Sequence, residues 1–111
     1  MDIKCKATIL LPVRYNDGAA IEHEKIEAIL ERLVNNFGGY SSFGVCQGAY
    51  RMDDGSVAID SCTVITVVFD DTADNKAKID SIASYAAREL QQECIYLEVS
   101  LVAVGFVRPS K

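Results

Sequence analysis

The hydrophobic positions of this chain switch period four times. From Lys6 to Arg14 they alternate, with Ala7, Ile9, Leu11 and Val13 on one face, which predicts a strand. After a turn at Asn16-Asp17-Gly18, Ile26, Ile29, Leu30, Leu33, Val34 and Phe37 recur at helical spacing. Glu22, Glu24 and Glu27 crowd the start of that helix, where the dipole favours anions, and Gly38-Gly39 ends it. Alternation returns from Tyr40 to Tyr50, interrupted at Gly44 and Gly48, which suggests bulges or a close approach by another group. Asp53-Asp54-Gly55 predicts a hairpin turn into a third strand, Val57 to Phe69. Its residues Ile59, Ser61, Thr63, Ile65, Val67 and Phe69 share one face, and Asp60, Cys62, Val64, Thr66 and Val68 the other.

A second helix begins after capping side chains in Asp70–Asp74 and carries an apolar stripe of Ile79, Ile82, Ala83, Ala86 and Leu90. Gln91 to Glu93 end it. A last strand is expected from about Cys94 to Val107, with Ile95, Leu97, Val99 and Leu101 opposite Tyr96, Glu98, Ser100, Val102 and Val104. Pro12 has no amide donor, so its N–H side must face solvent or a bulge. Pro109-Ser110-Lys111 reads as a frayed tail. This order predicts one α+β domain over residues 1–111: a ferredoxin-like βαββαβ sandwich, a four-stranded antiparallel sheet with two helices on one face.

Two helices cover one face of such a sheet, over Ile65, Val67, Leu97 and Val99. The other face still presents Val64, Val68, Val102 and Val104. At ~25 cal/mol per Å2 of apolar surface, leaving it wet forfeits several kcal/mol, and a patch of this kind marks an interface. The expectation is a cyclic homo-oligomer, a trimer with its sheets inward and ligand sites between subunits; the other outcome is a monomer with an open apolar face.

Composition narrows the function classes. Half of the 111 residues are hydrophobic, enough for a core, and the formal net charge is -5. That acidity, with Lys and Arg scattered, argues against nonspecific nucleic-acid binding. No apolar run reaches the ~18 residues of a membrane span, and the N-terminus lacks the apolar core of a signal peptide, so a cytoplasmic protein is expected. Four cysteines (Cys5, Cys46, Cys62 and Cys94) without a CxxC pair, and one histidine, argue against a zinc site. Cys62 and Cys94, within apolar stretches, are expected to be small buried hydrophobes. His23 sits among charges in a first helical turn and reads as a solvated surface residue.

Candidate chemistry gathers in the second hairpin. Gly38-Gly39-Tyr40 and Gly48-Ala49-Tyr50 place tyrosines close to glycines, and Asp60 sits inside an otherwise apolar strand. Glycine admits close approach, an aromatic face attracts a sulfonium or ammonium, and a carboxylate pairs with it. The alternative is plain: turn glycines, β-forming tyrosines and an edge aspartate. Glu98 is a second candidate, as a ligand contact or in a salt bridge with Arg51 or Arg14.

Three segments resemble the phage-encoded S-adenosylmethionine (SAM) lyases, once called SAM hydrolases. They are Gly39-Tyr40 at the entry to the second strand, Gly48-Ala49-Tyr50-Arg51, and Ala87 to Cys94 followed by Gly105-Phe106-Val107. The resemblance implies a trimer of PII-like, ferredoxin-like subunits with sites at their interfaces. It implies an anti-restriction lyase that cleaves SAM to methylthioadenosine and homoserine lactone without metal or cofactor. On that resemblance Tyr50 and Asp60 are the catalytic pair, with Tyr40, Gly48, Arg51, Ser61 and Glu98 around the ligand. The family carries glutamate where Asp60 stands one place early and Ser61 follows; one place on a strand reverses the face, which a bulge at Gly48 or Gly55 would restore. The competing readings are a non-catalytic PII-like trimer binding a nucleotide or small metabolite, and an interaction protein that uses its sheet only to assemble.

Overall fold

The computed structural model describes residues 1–110; of the expected tail, Lys111 lies outside the described residues, and Pro109 and Ser110 are exposed without regular structure. The elements run β1 (Asp2–Pro12), α1 (His23–Phe37), β2 (Ser41–Arg51), β3 (Val57–Phe69), α2 (Ala73–Glu89) and β4 (Leu97–Val104). One antiparallel sheet has the order β2-β3-β1-β4, so the two sequential hairpin strands sit to one side and the chain's first and last strands pair on the other. This is the expected ferredoxin-like α+β architecture.

The period-2 residues of β1 meet those of β3 in register: Cys5 opposite Phe69, Ala7 opposite Val67, Ile9 opposite Ile65. These side chains are buried with Ile29 and Leu33 of α1 and Ile79, Ile82 and Ala86 of α2. Both helical stripes therefore converge on the two central strands. Phe37 closes one end, stacked on Phe69 at 4.9 Å between centroids. The Arg32 guanidinium lies 3.5 Å from the Tyr85 ring centroid and ties α1 to α2 at the surface.

The helix ends follow the local chemistry. The Gly38 amide donates to the Val34 carbonyl at 2.8 Å and closes α1. Of the capping candidates before α2, Thr72 is the cap: its hydroxyl accepts from the Asn75 amide at 3.1 Å. His23 is on the surface, 2.9 Å from Glu27 one turn on.

Several expectations are corrected. β1 starts at Asp2 rather than Lys6, because Ile3 and Cys5 continue its alternation and β4 pairs with it up to Asp2–Val104. That same register ends β4 at Val104, opposite Asp2. β4 begins at Leu97 rather than Cys94. The Leu10 amide donates to the Tyr96 carbonyl, but two residues on, Pro12 has no N–H for Cys94. Val99, expected under the helices, is 42% exposed, and Leu97 is half-buried, since α1 and α2 centre on β3 and β1 and leave the β4 edge uncovered. Cys94 is exposed and Cys62 only half-buried.

The β2–β3 hairpin runs past the helices, and the molecule measures 56 × 29 × 26 Å. β2 carries a bulge: Ser42 pairs with Ile65, but the next pairing is Val45 with Thr63. Gly44 lies there with φ +81, in the left-handed region that glycine adopts without strain. The bulge is thus at Gly44, and Gly48 and Gly55 are not its site.

Candidate functional site

Beyond the bulge, β2 pairs Cys46 with Cys62, Gly48 with Asp60 and Tyr50 with Ala58. All of these point away from the helices, on the face that also carries Val64 and Val68. Asp60 and Tyr50 are therefore diagonal neighbours on one face, because Tyr50 is two residues beyond the direct partner of Asp60. Gly48 explains how the ring lies there. A Cβ on Gly48 would sit 2.8 Å from the Tyr50 hydroxyl oxygen and 3.0 Å from two ring carbons. The tyrosine folds back over the glycine and so occupies the space that any other residue would fill.

Tyr50, Asp60 and Cys62 line a cleft of about 670 Å3, large enough for a nucleoside-sized ligand. Three segments wall it. The end of β1 and its following turn supply Pro12, Arg14 and Tyr15. The hairpin supplies Tyr50, Asp60, Ser61 and Cys62. The segment between α2 and β4 supplies Gln92, Cys94 and Tyr96. The turn is held by the Tyr15 amide on the Ala19 carbonyl at 2.8 Å and by the Tyr15 hydroxyl donating to Glu22. That bond is the first cause holding the Glu22 carboxyl below its ordinary range.

Tyr96 and Glu98 sit two residues apart on one face, and the Tyr96 hydroxyl donates to a Glu98 carboxylate oxygen at 2.8 Å. This hydrogen bond and the Glu98 charge push the Tyr96 phenol up, with smaller contributions from burial and from Tyr50 across the cleft. Of the two alternatives for Glu98, the salt bridge with Arg14 or Arg51 is not formed. Arg14 donates to the Gly18 carbonyl at 3.5 Å and Arg51 to the Gly55 carbonyl at 2.9 Å, each within its own turn.

The structure thus gathers Tyr50, Asp60, Ser61 and, behind the ring, Gly48. Glu98 joins through Tyr96. Arg51 stands at the hairpin tip with Met52, Asp53 and Asp54, apart from the cleft. Tyr40 precedes Ser41 at the far end of β2, opposite the β3 region of Thr66, and does not meet the others within one chain. Tyr96, Tyr15 and Arg14 were not singled out from sequence as cleft residues; of these, Tyr96 was findable, since alternation places it on the Glu98 face. Chemically, the cleft offers aromatic faces, one exposed carboxylate and one guanidinium. Among the described residues no group of His, Cys, Asp and Glu is arranged to hold a metal ion, and no helix is long and apolar enough to cross a membrane.

No family model matches this chain, and no curated protein matches it by sequence. Its shape does match solved structures. A phage SAM lyase in complex with S-methyl-5'-thioadenosine superposes with a TM-score of 0.68 at 14% identity, over 87% of this chain and 80% of that one. The divalent cation tolerance protein CutA1 of Thermus thermophilus gives 0.62 at 14% identity, over 95% and 88%. CutA of Xylella fastidiosa gives 0.63 at 11% identity, over 96% and 88%. At these identities the likeness is one of fold, and the class it defines is the ferredoxin-like α+β sandwich that lyase and CutA proteins share.

Proposed function

We propose that this protein is a SAM lyase that cleaves SAM to methylthioadenosine and homoserine lactone at sites shared between subunits of a trimer. The observation that carries this reading is the convergence of Tyr50 and Asp60 on one outward face of the cleft, in a chain whose shape resembles a phage SAM lyase. The regular pairing between the turn and Gly48 puts them on one face, and the space over Gly48 admits the ring; the Gly44 bulge lies outside this segment.

The reaction asks little of the protein. The substrate carboxylate oxygen attacks its own γ-carbon; the C–S bond breaks, and its electron pair leaves with the neutral thioether, so no proton or water is consumed. The Tyr50 and Tyr96 faces attract the sulfonium, and the Asp60 carboxylate pairs with the ligand's positive charge. The gain comes from folding the substrate into attack geometry. No step calls for a cofactor or metal. SAM depletion of this kind is the anti-restriction role of a phage protein acting in the host cytoplasm.

The assembly is supported by the outward face, where Val68 is 42% exposed in the single chain and Val64, Val102 and Val104 are half-buried. Both sheet edges, β2 and β4, are also open, with Phe43, Val45 and Leu101 each more than 60% exposed. β2 and β4 run in opposite directions, so the β2 edge of one copy can pair antiparallel with β4 of the next, a head-to-tail contact that closes into a ring. Such packing would bring Tyr40 of one subunit toward the sites of its neighbours.

The test is incubation of purified protein with SAM and chromatography for methylthioadenosine and homoserine lactone. Wild type should form both, Asp60→Asn neither, and Tyr50→Phe less at an unchanged assembly state. An unchanged rate in Asp60→Asn shifts the charge role to Glu98. The likeness to CutA supports the second reading, a PII-like trimer that binds a nucleotide or metabolite without turnover. A thermal shift with SAM or ATP, without product, would select it.

A further inference from the structure

Cys46 and Cys62 stand directly opposite each other across β2 and β3. Both thiols are free and half-buried, and both point away from the helices, next to the Gly48–Asp60 pair. The backbone defines their spacing. The Ser61 carbonyl accepts from the Val13 amide on the β1 side, so the backbone groups of Cys62 point the other way, to β2. Cys46 and Cys62 are then a hydrogen-bonded cross-strand pair, for which the Cα separation is about 5.5 Å. A disulfide spans roughly 4.4–6.8 Å between Cα atoms and about 3.5–4.5 Å between Cβ atoms, so the Cα spacing suffices while the Cβ atoms of such a pair, roughly 5.5 Å apart, must draw together, which leaves the bond strained and readily reduced. The other cysteines have no such partner. Cys5 is buried on the helix side with its thiol 3.5 Å from an Asp71 oxygen, and Cys94 is exposed on the segment before β4.

We propose that Cys46 and Cys62 form a thiol–disulfide exchange site, closed by a low-molecular-weight disulfide such as glutathione disulfide, that crosslinks β2 to β3 in the wall of the cleft. The Cys46 thiolate attacks one sulfur of glutathione disulfide; an S–S bond forms to the protein and one glutathione thiolate leaves. Cys62, having lost its proton, then attacks the Cys46 sulfur and expels the second glutathione. Two protein thiols are oxidised by two electrons in all, and one glutathione disulfide is reduced to two glutathione thiols. Burial, then Cys46 and Asp60, push the Cys62 thiol up, which fits it to the second, intramolecular step, where proximity offsets a low thiolate fraction. The bond ties the strand that carries Gly48 and Tyr50 to the strand that carries Asp60. It is independent of whether the cleft turns over a sulfonium.

The experiment uses the full chain and a Cys94→Ser variant. Each is incubated with excess glutathione disulfide, alkylated with N-ethylmaleimide and digested with trypsin without reduction. The expected product is the tryptic peptide Leu33–Arg51 linked to Met52–Lys76, an intact chain lighter by two hydrogens, and full reversal by dithiothreitol. In Cys62→Ser the reaction should stop at a glutathione adduct on Cys46. Recovery of Cys46 and Cys62 as maleimide adducts would overturn the proposal. So would stable glutathione on both without a linked peptide, or a link that joins two chains and persists in Cys94→Ser.

Discussion

Gly48 makes room for a ring, and the consequence is testable at a single atom. Gly48→Ala places a methyl where the Tyr50 hydroxyl now lies. The backbone tolerates alanine there, and the tyrosine tip is free to swing, so stability should move by less than about 1 kcal/mol. The ring, however, leaves its place beside Asp60, and turnover of SAM should fall on the order of 10²-fold. Circular dichroism melts together with product chromatography separate the two effects. Charged residues set a second expectation at this scale. Asp71 is held low by Lys76, Asp54 by the Ser56 hydroxyl and amide, and Glu22 by Tyr15. A carboxyl held low in the folded state stabilises it above the unfolded pKa of about 4, and that stability is lost as pH falls through the folded value. Tyr96 is held high, so its contribution is present at neutral pH and fades as pH climbs past about 10. Melting temperature against pH should therefore drop at both limits, and Asp71→Asn should flatten the acid side.

Among the elements, β3 was the most legible in the sequence: thirteen alternating residues between a turn and a cap leave its bounds at Val57 and Phe69. The helices were legible for the same reason, a stripe bounded by capping chemistry. Removing the Thr72 hydroxyl by Thr72→Ala orphans the Asn75 amide and should cost about 1 kcal/mol, a few degrees in a thermal melt. What alternation leaves open is what lies beside a strand. Val99 alternates like a core residue, yet its exposure depends on how far α2 reaches over β4. β4 starts only at Leu97 because Pro12 of β1 lacks an amide donor, which is a fact about a neighbour. The bulge was expected from glycine, but Gly44, Gly48 and Gly55 compete within β2 and the turn after it, and pairing singles out Gly44. The same limit hid the Tyr96–Glu98 hydrogen bond: shared face was readable, whereas the arginines' capture by their own turns was not.

At the scale of the whole molecule, the sheet is finished on its helical side and unfinished elsewhere. Apolar residues on the open face and on both edges set the expectation that several copies associate. Light scattering should give about three times the 12.1 kDa of one chain. Val64→Asp or Val102→Asp introduces charge into that contact, and each should yield a single-chain species with helix content retained. Assembly that survives both substitutions would place the contact elsewhere, and a wild type that runs as one chain would remove the shared site.

The extra residue at Gly44 has a counting consequence. Phe43 and Gly44 together stand opposite the single residue Val64, between the Ser42–Ile65 and Val45–Thr63 pairs. Deleting one of the two would make the ladder regular and leave every other pair in place, with Tyr50 and Cys46 still on the face of Asp60 and Cys62. A descendant without the bulge would therefore straighten the hairpin and keep both the tyrosine–aspartate pair and the thiol pair. Among chains of this shape, the presence or absence of the bulge says nothing about shared chemistry; the residues that stand opposite one another near the hairpin tip do.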